Sequence, residues 1–196
     1  MFASFGEVLA AHGLSLDNTI RSRIWGADSD ARTACSTART RTLSGRARAA
    51  TSSYIAPAHF NSATRVAMDL VALLPLPGEE KTVTEQDPPK GVIKWLAVGE
   101  LLVLPGMSCN EGGSFELQAE DILGRITVCL GEAGCRWSEV CDVTFVYEHG
   151  VQRHDILTAL RRETEEMPQR MTLLPAEGYS RPGKLLEIET MAIMNV

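Results

Sequence analysis

The sequence predicts an α+β chain made of one complete C-terminal unit and one truncated N-terminal copy of it. Three observations carry this expectation. They are the order of strand-like and helix-like segments after residue 91, a proline-rich break before them, and an internal repeat at an offset of 121 residues.

After the break, "VIKWLAVGELLVLPGMSC" (92–109) reads as two strands about the turn Gly99-Glu100, with Leu101 to Leu104 continuous enough for a central strand. "AEDILGRITVCLGEAG" (119–134) places Ile122, Leu123, Ile126, Val128, Cys129 and Leu130 at helical spacing and closes on a glycine. "EVCDVTFVYE" (139–148) is β-branched and aromatic, hence a strand. "VQRHDILTALRRETEEM" (151–167) is an amphipathic helix with Ile156, Leu157 and Leu160 on one face. "KLLEIETMAIM" (184–194) alternates as a strand, with Glu187 and Glu189 on one face and Leu186 and Ile188 on the other. One of those faces is expected to be wet or lined by a ligand.

The prolines of "PLPGEEKTVTEQDPPKG" (75–91) disfavour helix and sheet alike, so this stretch is expected to be a linker. The division is then a truncated, degenerate repeat over 1–75, a linker over 76–91 and a complete unit over 92–196. In the repeat, Gly13 falls on Gly134, and "TRVAMDLVAL" (64–73) lines up with "KLLEIETMAI" (184–193) at an offset of 120. The first copy has no counterpart of the strands in 92–109. It is an incomplete domain, or something else supplies those strands.

Composition narrows the function. Hydrophobic content of 44% and charge of 22% are those of a globular protein, and a net charge of −6 argues against a dedicated nucleic-acid surface. Arg32, Arg39, Arg41, Arg46 and Arg48 crowd a short basic stretch, with no aromatic platform around the arginines of 39–48, so surface solvation or subunit pairing is expected there, and nucleic acid is not an expected partner. "MFASFGEVLAAHG" lacks a basic n-region and a long apolar h-region, and no run approaches the ~20 residues of a spanning helix. A cytoplasmic location without membrane contact is expected. Five cysteines (35, 109, 129, 135 and 141) without CxxC spacing fit neither a disulfide framework nor a zinc site.

The residues "LLVLPG", "EAGCRWSEVCDVTFVYE", Pro168-Gln169-Arg170 and "LLEIETMAI", in this order, resemble the Rid (reactive intermediate deaminase, YjgF-type) family over about residues 92–196, and more weakly over 5–74. The resemblance implies a YjgF/chorismate-mutase-like domain, a mixed sheet with two helices on one face, assembling as a trimer-like barrel with ligand sites between neighbours. It implies that Arg170 anchors a substrate carboxylate and that Glu187 orients water or moves a proton, while Gly106 and Thr172 lend backbone contacts. A guanidinium fork suits a carboxylate, and a carboxylate can serve as acid and base. Neither role calls for a metal or a cofactor, and none is expected.

The implied activity is that of an imine or enamine deaminase on a small carboxylate-bearing substrate, by hydrolysis, tautomerisation or cyclisation. Departures from the family pattern point to a specialised biosynthetic substrate. Val92 and Pro105 stand where a tyrosine and a serine are usual, and "AEGYSRPG" adds about two residues between Arg170 and Glu187. In the first copy the arginine position falls on Ala49 or Ala50 and the glutamate position on Ala67. A non-catalytic assembly or ligand-sensing protein is the alternative; chorismatase-like activity and RNA binding rank below it.

Each candidate has a plainer reading. Arg170 could pair with Glu165 or Glu166, and Glu187 could be solvated. Cys109 follows the pocket-forming turn yet suits a small core position. His59, Tyr54 and Tyr179 sit in loops that could reach a cleft, and Trp95 could face a ligand or the core.

Overall fold

Alternation along the strands decides which side of each sheet meets a helix and which meets the other half of the chain. The structure, a computed structural model, describes residues 1–109, 111–164 and 166–195. The N-terminal half runs α1 (Phe2–Ala11), β1 (Thr19–Gly26), α2 (Ser29–Thr42), β2 (Ala50–Ile55) and β3 (Val66–Ala72). The chain continues through β4 (Lys81–Thr84), β5 (Trp95–Val98), β6 (Leu101–Ser108), α3 (Phe115–Glu132), β7 (Val140–Glu148), α4 (Arg153–Glu163), β8 (Met171–Ala176) and β9 (Leu186–Ile193).

The C-terminal sheet is six-stranded and mixed, in the order β4-β5-β6-β9-β7-β8, with β7 and β8 parallel and its other pairs antiparallel. One face carries Leu102, Leu104, Val143, Phe145, Leu186 and Ile188. Onto it pack Ile122, Leu123 and Ile126 of α3 and Ile156 and Leu160 of α4, forming the main core. The helix expected from residue 119 begins at Phe115, because the Ser114 hydroxyl accepts from the Leu117 amide and opens an extra turn.

The N-terminal sheet, in the order β2-β1-β3, repeats the end of the larger one. β1 is parallel to β2 and antiparallel to β3, as β7 is to β8 and β9. Even the irregularities coincide: the register slips between Thr19 and Arg21 on β1 and between Val140 and Asp142 on β7. Nothing in the described residues pairs with the second edge of β3, whose counterpart β9 has β6 there.

The stretch read as linker contains β4, which pairs with β5 in register Lys81↔Val98 to Thr84↔Trp95. Its four residues KTVT are free of proline and β-rich, and the prolines on either side delimit the strand rather than abolish it.

The face of β9 bearing Glu187 and Glu189 is not wet. The N-terminal sheet covers it, leaving both glutamates buried. Part of that interface is apolar: Ile20 and Ala50 meet Ile93, Leu96, Val98 and Val103. The remainder is an ion cluster. Arg21, 1% exposed, donates to Glu189 Oε2 at 2.8 Å and to the carbonyls of Leu104 and Thr190 at 3.1 Å. Arg23 reaches the same oxygen through Nε at 2.7 Å, and the Tyr54 hydroxyl donates to Glu189 Oε1 at 2.9 Å. Burial would push the Glu189 carboxyl up, but Arg21 and Arg23 hold it below its ordinary range.

Breaking one partner of such a buried cluster leaves the others uncompensated. Glu189→Gln is expected to cost about 3–5 kcal/mol, read as a lower urea midpoint at unchanged slope. An unchanged midpoint would show that the halves are joined by apolar contact alone.

Candidate functional site

Two residues, Pro105 and Gly106, fall out of pairing where the β6–β9 register jumps between Leu104 and Met107. Proline has no amide to give to the ladder and is tolerated at such a bulge. Glycine is required beside it for space: a Cβ on Gly106 would lie 2.2 Å from Glu187 Oε1 and 2.4 Å from Ser52 Oγ. The "PG" of the sequence thus lets the Glu187 carboxylate of β9 and the Ser52 hydroxyl of β2 close over the β6 backbone.

Beyond this contact the two halves diverge into a cleft of about 890 Å³, bounded by β2 and α2 on one side and by β6, α3 and the loop before β9 on the other. Glu187 is 6% exposed at its floor. Burial pushes its carboxyl up to about 7 against the pull of Lys184, and Glu189 adds to the rise. The group therefore exchanges its proton near neutrality, where acid-base catalysis is most efficient. Lys184 Nζ donates to Ser108 Oγ at 2.5 Å and to Ser180 Oγ at 3.3 Å, and burial lowers its pKa. On the other wall Arg39 donates to the Ser52 carbonyl at 2.6 Å and to Ser53 Oγ at 3.0 Å. Burial lowers its pKa to about 10, which leaves it cationic at neutral pH.

Of the residues singled out in the sequence, Glu187 and Gly106 meet in this cleft; Arg170 does not join them. It stands at the start of β8, its side chain 76% exposed, with Nε donating to Asp142 Oδ1 at 2.6 Å. Glu187 pairs with Val146, farther along β7. The reason lies in the repeat. The strand that covers Glu187 is β2, from the other half, and there the arginine position is Ala50, since Ser22↔Thr51 answers to Val143↔Met171. Of the surface partners considered for Arg170, Glu166 is not the one used, and Glu165 lies outside the described residues.

Thr172 pairs with Thr144 inside the β7–β8 ladder. Cys109 belongs to the main core, its thiol directed at the Gly112 carbonyl. Trp95 packs against that core, with Lys94 Nζ 5.1 Å from its ring centroid. Tyr179 donates to the Val146 carbonyl at 2.9 Å and meets Tyr54 edge-on, while His59 stacks on Trp25 at 5.5 Å. With Trp25 and Tyr54 they form an aromatic group between the halves, outside the residues that line the cleft. Lys184, Ser52 and Ser108 were missed. The one signal for the cationic wall was the basic cluster, whose Arg32 and Arg39 turn inward.

Solved structures match about three fifths of this chain. A member of the YjgF/YER057c/UK114 family from Mycobacterium tuberculosis superposes with a TM-score of 0.52 at 20% identity, over 59% of this chain and 100% of that one. The fold is that of the YjgF family. A YjgF family protein from Neisseria meningitidis gives 0.53 at 19% identity, over 60% and 97% of the two chains. A Rid family protein of unknown function from Yersinia pestis gives 0.52 at 17%, over 58% and 99%. At these identities the likeness is one of fold. No family model matches the sequence, and no curated protein is similar to it. The YjgF fold accounts for a share equal in length to the stretch from β4 onward, and the N-terminal half is a partial copy of it.

The raised pKa of Glu187 has a consequence for stability. The folded chain holds this proton more tightly than the unfolded one, so stability is full below the ordinary value of 4.5, falls as pH rises, and levels off above about 7. The loss is on the order of 3 kcal/mol. Urea unfolding of Glu187→Gln is expected to lack this slope between pH 5 and 7 and to exceed the parent in stability at pH 8. An identical slope in both would place the titration elsewhere.

Proposed function

We propose that the cleft between the halves hydrolyses a small imine or enamine bearing a carboxylate. The observation that carries this reading is Glu187, buried and titrating near neutrality at the floor of a cleft walled by cations. Water adds its oxygen to the imine carbon while one of its protons passes through Glu187 to the nitrogen. The carbinolamine then collapses: its hydroxyl proton travels by the same route to the amine, the carbon–nitrogen bond breaks, and a keto acid and ammonia leave. Lys184 and Arg32 take the anchoring role first given to Arg170, since both line the cleft. Tautomerisation would use the same proton path without water. Val92 and Pro105, at positions usually tyrosine and serine in the resemblance, both line the cleft and favour a specialised substrate.

The open edge of β3 supports self-association. Val71, Leu74 and Leu76 are exposed at or just beyond this strand, and an uncovered edge with apolar flanks is a liability for a lone chain. A second copy of this chain would cover it. Light scattering after size exclusion is expected to give a multiple of 21.3 kDa; a mass of one chain would remove that part of the reading.

The catalytic part is tested by presenting 2-imino acids generated in situ by an amino-acid oxidase and following ammonia release. Glu187→Gln is expected to lose about 10²–10⁴-fold in rate, and Arg170→Ala to stay within about twofold, since an exposed ion pair contributes little. Ligand binding without turnover in the parent protein would instead favour the sensing alternative, for which Ala67 at the first copy's glutamate position speaks.

A further inference from the structure

The charge of the cleft exceeds what a single carboxylate would need. Seven cationic side chains line it against two carboxylates, Glu132 and Glu187, in a chain whose net charge is −6. Lys94 is taken by Glu132, and Arg125 by Asp121 outside the cleft. Among the described residues Arg32, Arg39, Lys90, Arg181 and Lys184 have no carboxylate at salt-bridge distance. Five uncompensated cations among the described residues therefore line the cleft with the one carboxylate of Glu187.

Two of the arginines carry a more specific signal. Arg32, 9% exposed, has a buried Nε without a partner, and Arg125 has another. A buried donor left without an acceptor costs about 1–3 kcal/mol, so these groups await oxygen atoms from outside the chain. Arg32 comes from α2 of one half, and Arg125 and Lys184 come from α3 and the loop before β9 of the other. Donors converging from both walls suit a tetrahedral dianion better than a flat carboxylate, which one fork satisfies.

We propose that the ligand of this cleft carries a phosphate monoester, bound between Arg32 on one wall and Lys184 and Arg125 on the other, next to Glu187. The proposal deepens the hydrolase reading and rests on it for the identity of the reacting group: the substrate is a phosphorylated imine or enamine acid. The phosphate is small-molecule phosphate, not a nucleic-acid backbone. Among the described residues no aromatic side chain lines the cleft, so bases would have nothing on which to stack.

The test is calorimetric titration of the full chain with inorganic phosphate, against acetate and chloride at matched ionic strength. Phosphate is expected to bind with a dissociation constant below about 1 mM, and acetate at least tenfold more weakly. Arg32→Gln and Lys184→Met are each expected to weaken phosphate about tenfold, as loss of a charge-assisted hydrogen bond does. Arg136→Gln, on an 84% exposed side chain that is not among the residues lining the cleft, is expected to change nothing. Glu187→Gln is expected to keep phosphate binding while losing turnover, which separates this site from the chemistry. Phosphate binding no tighter than acetate, or equal weakening by Arg32→Gln and Arg136→Gln, would overturn the proposal even with imine hydrolysis intact. So would tight binding, at about 150 mM salt, of a short single-stranded RNA that phosphate fails to displace.

Discussion

The buried cluster of Arg21, Arg23, Tyr54 and Glu189 is the constraint on which the rest of the structure depends. It joins β1 and β2 of one half to β9 of the other, and it fixes their register by direction as well as proximity. Arg21 must reach one carboxylate oxygen and two carbonyls at once, and Tyr54 must reach the second oxygen. Apolar contacts such as Ile20 against Val103 would tolerate a slide of the two sheets. A cluster with this many directed bonds would not, because each lost bond leaves a desolvated charge.

With the register fixed, the neighbouring position on the same face of β9 acquires its character. Glu187 lies two residues before Glu189, under the same cover, but receives no guanidinium. One carboxylate is thus held ionised by two arginines, while its neighbour is pushed toward neutrality by burial and by the charge of the first. Two like groups with opposite shifts on one strand form an arrangement suited to proton transfer. The bulge at Pro105-Gly106 provides the room, since any side chain at 106 would occupy the place of the carboxylate.

Much of this was legible in the sequence because the repeat is a repeat of geometry. The glycine pair Gly13 and Gly134 sets the phase, and the coincident register slips at Thr19 and Val140 show that the two copies share backbone detail as well as element order. The alternation of "LLEIE" placed both glutamates on one face. What alternation could not tell was what lies above that face, because the cover comes from residues more than a hundred positions earlier. For the same reason Arg170 was assigned to the wrong neighbourhood. It was paired with the glutamate of its own half, whereas the cleft forms across halves and meets the arginine-less strand of the degenerate copy. The strand Lys81–Thr84 was hidden by its prolines, which act as boundaries on an edge strand that is only four residues long.

The central claim is that Glu187, alone of the two buried glutamates, holds its proton near neutral pH. Carbon-13 NMR of the glutamate carboxyl resonances against pH tests it directly, with the Glu187 signal identified by its loss in Glu187→Gln. A midpoint near 7 is predicted. A midpoint at the ordinary value of 4.5 would contradict the account, because the carboxylate would then be solvated where the structure has it buried.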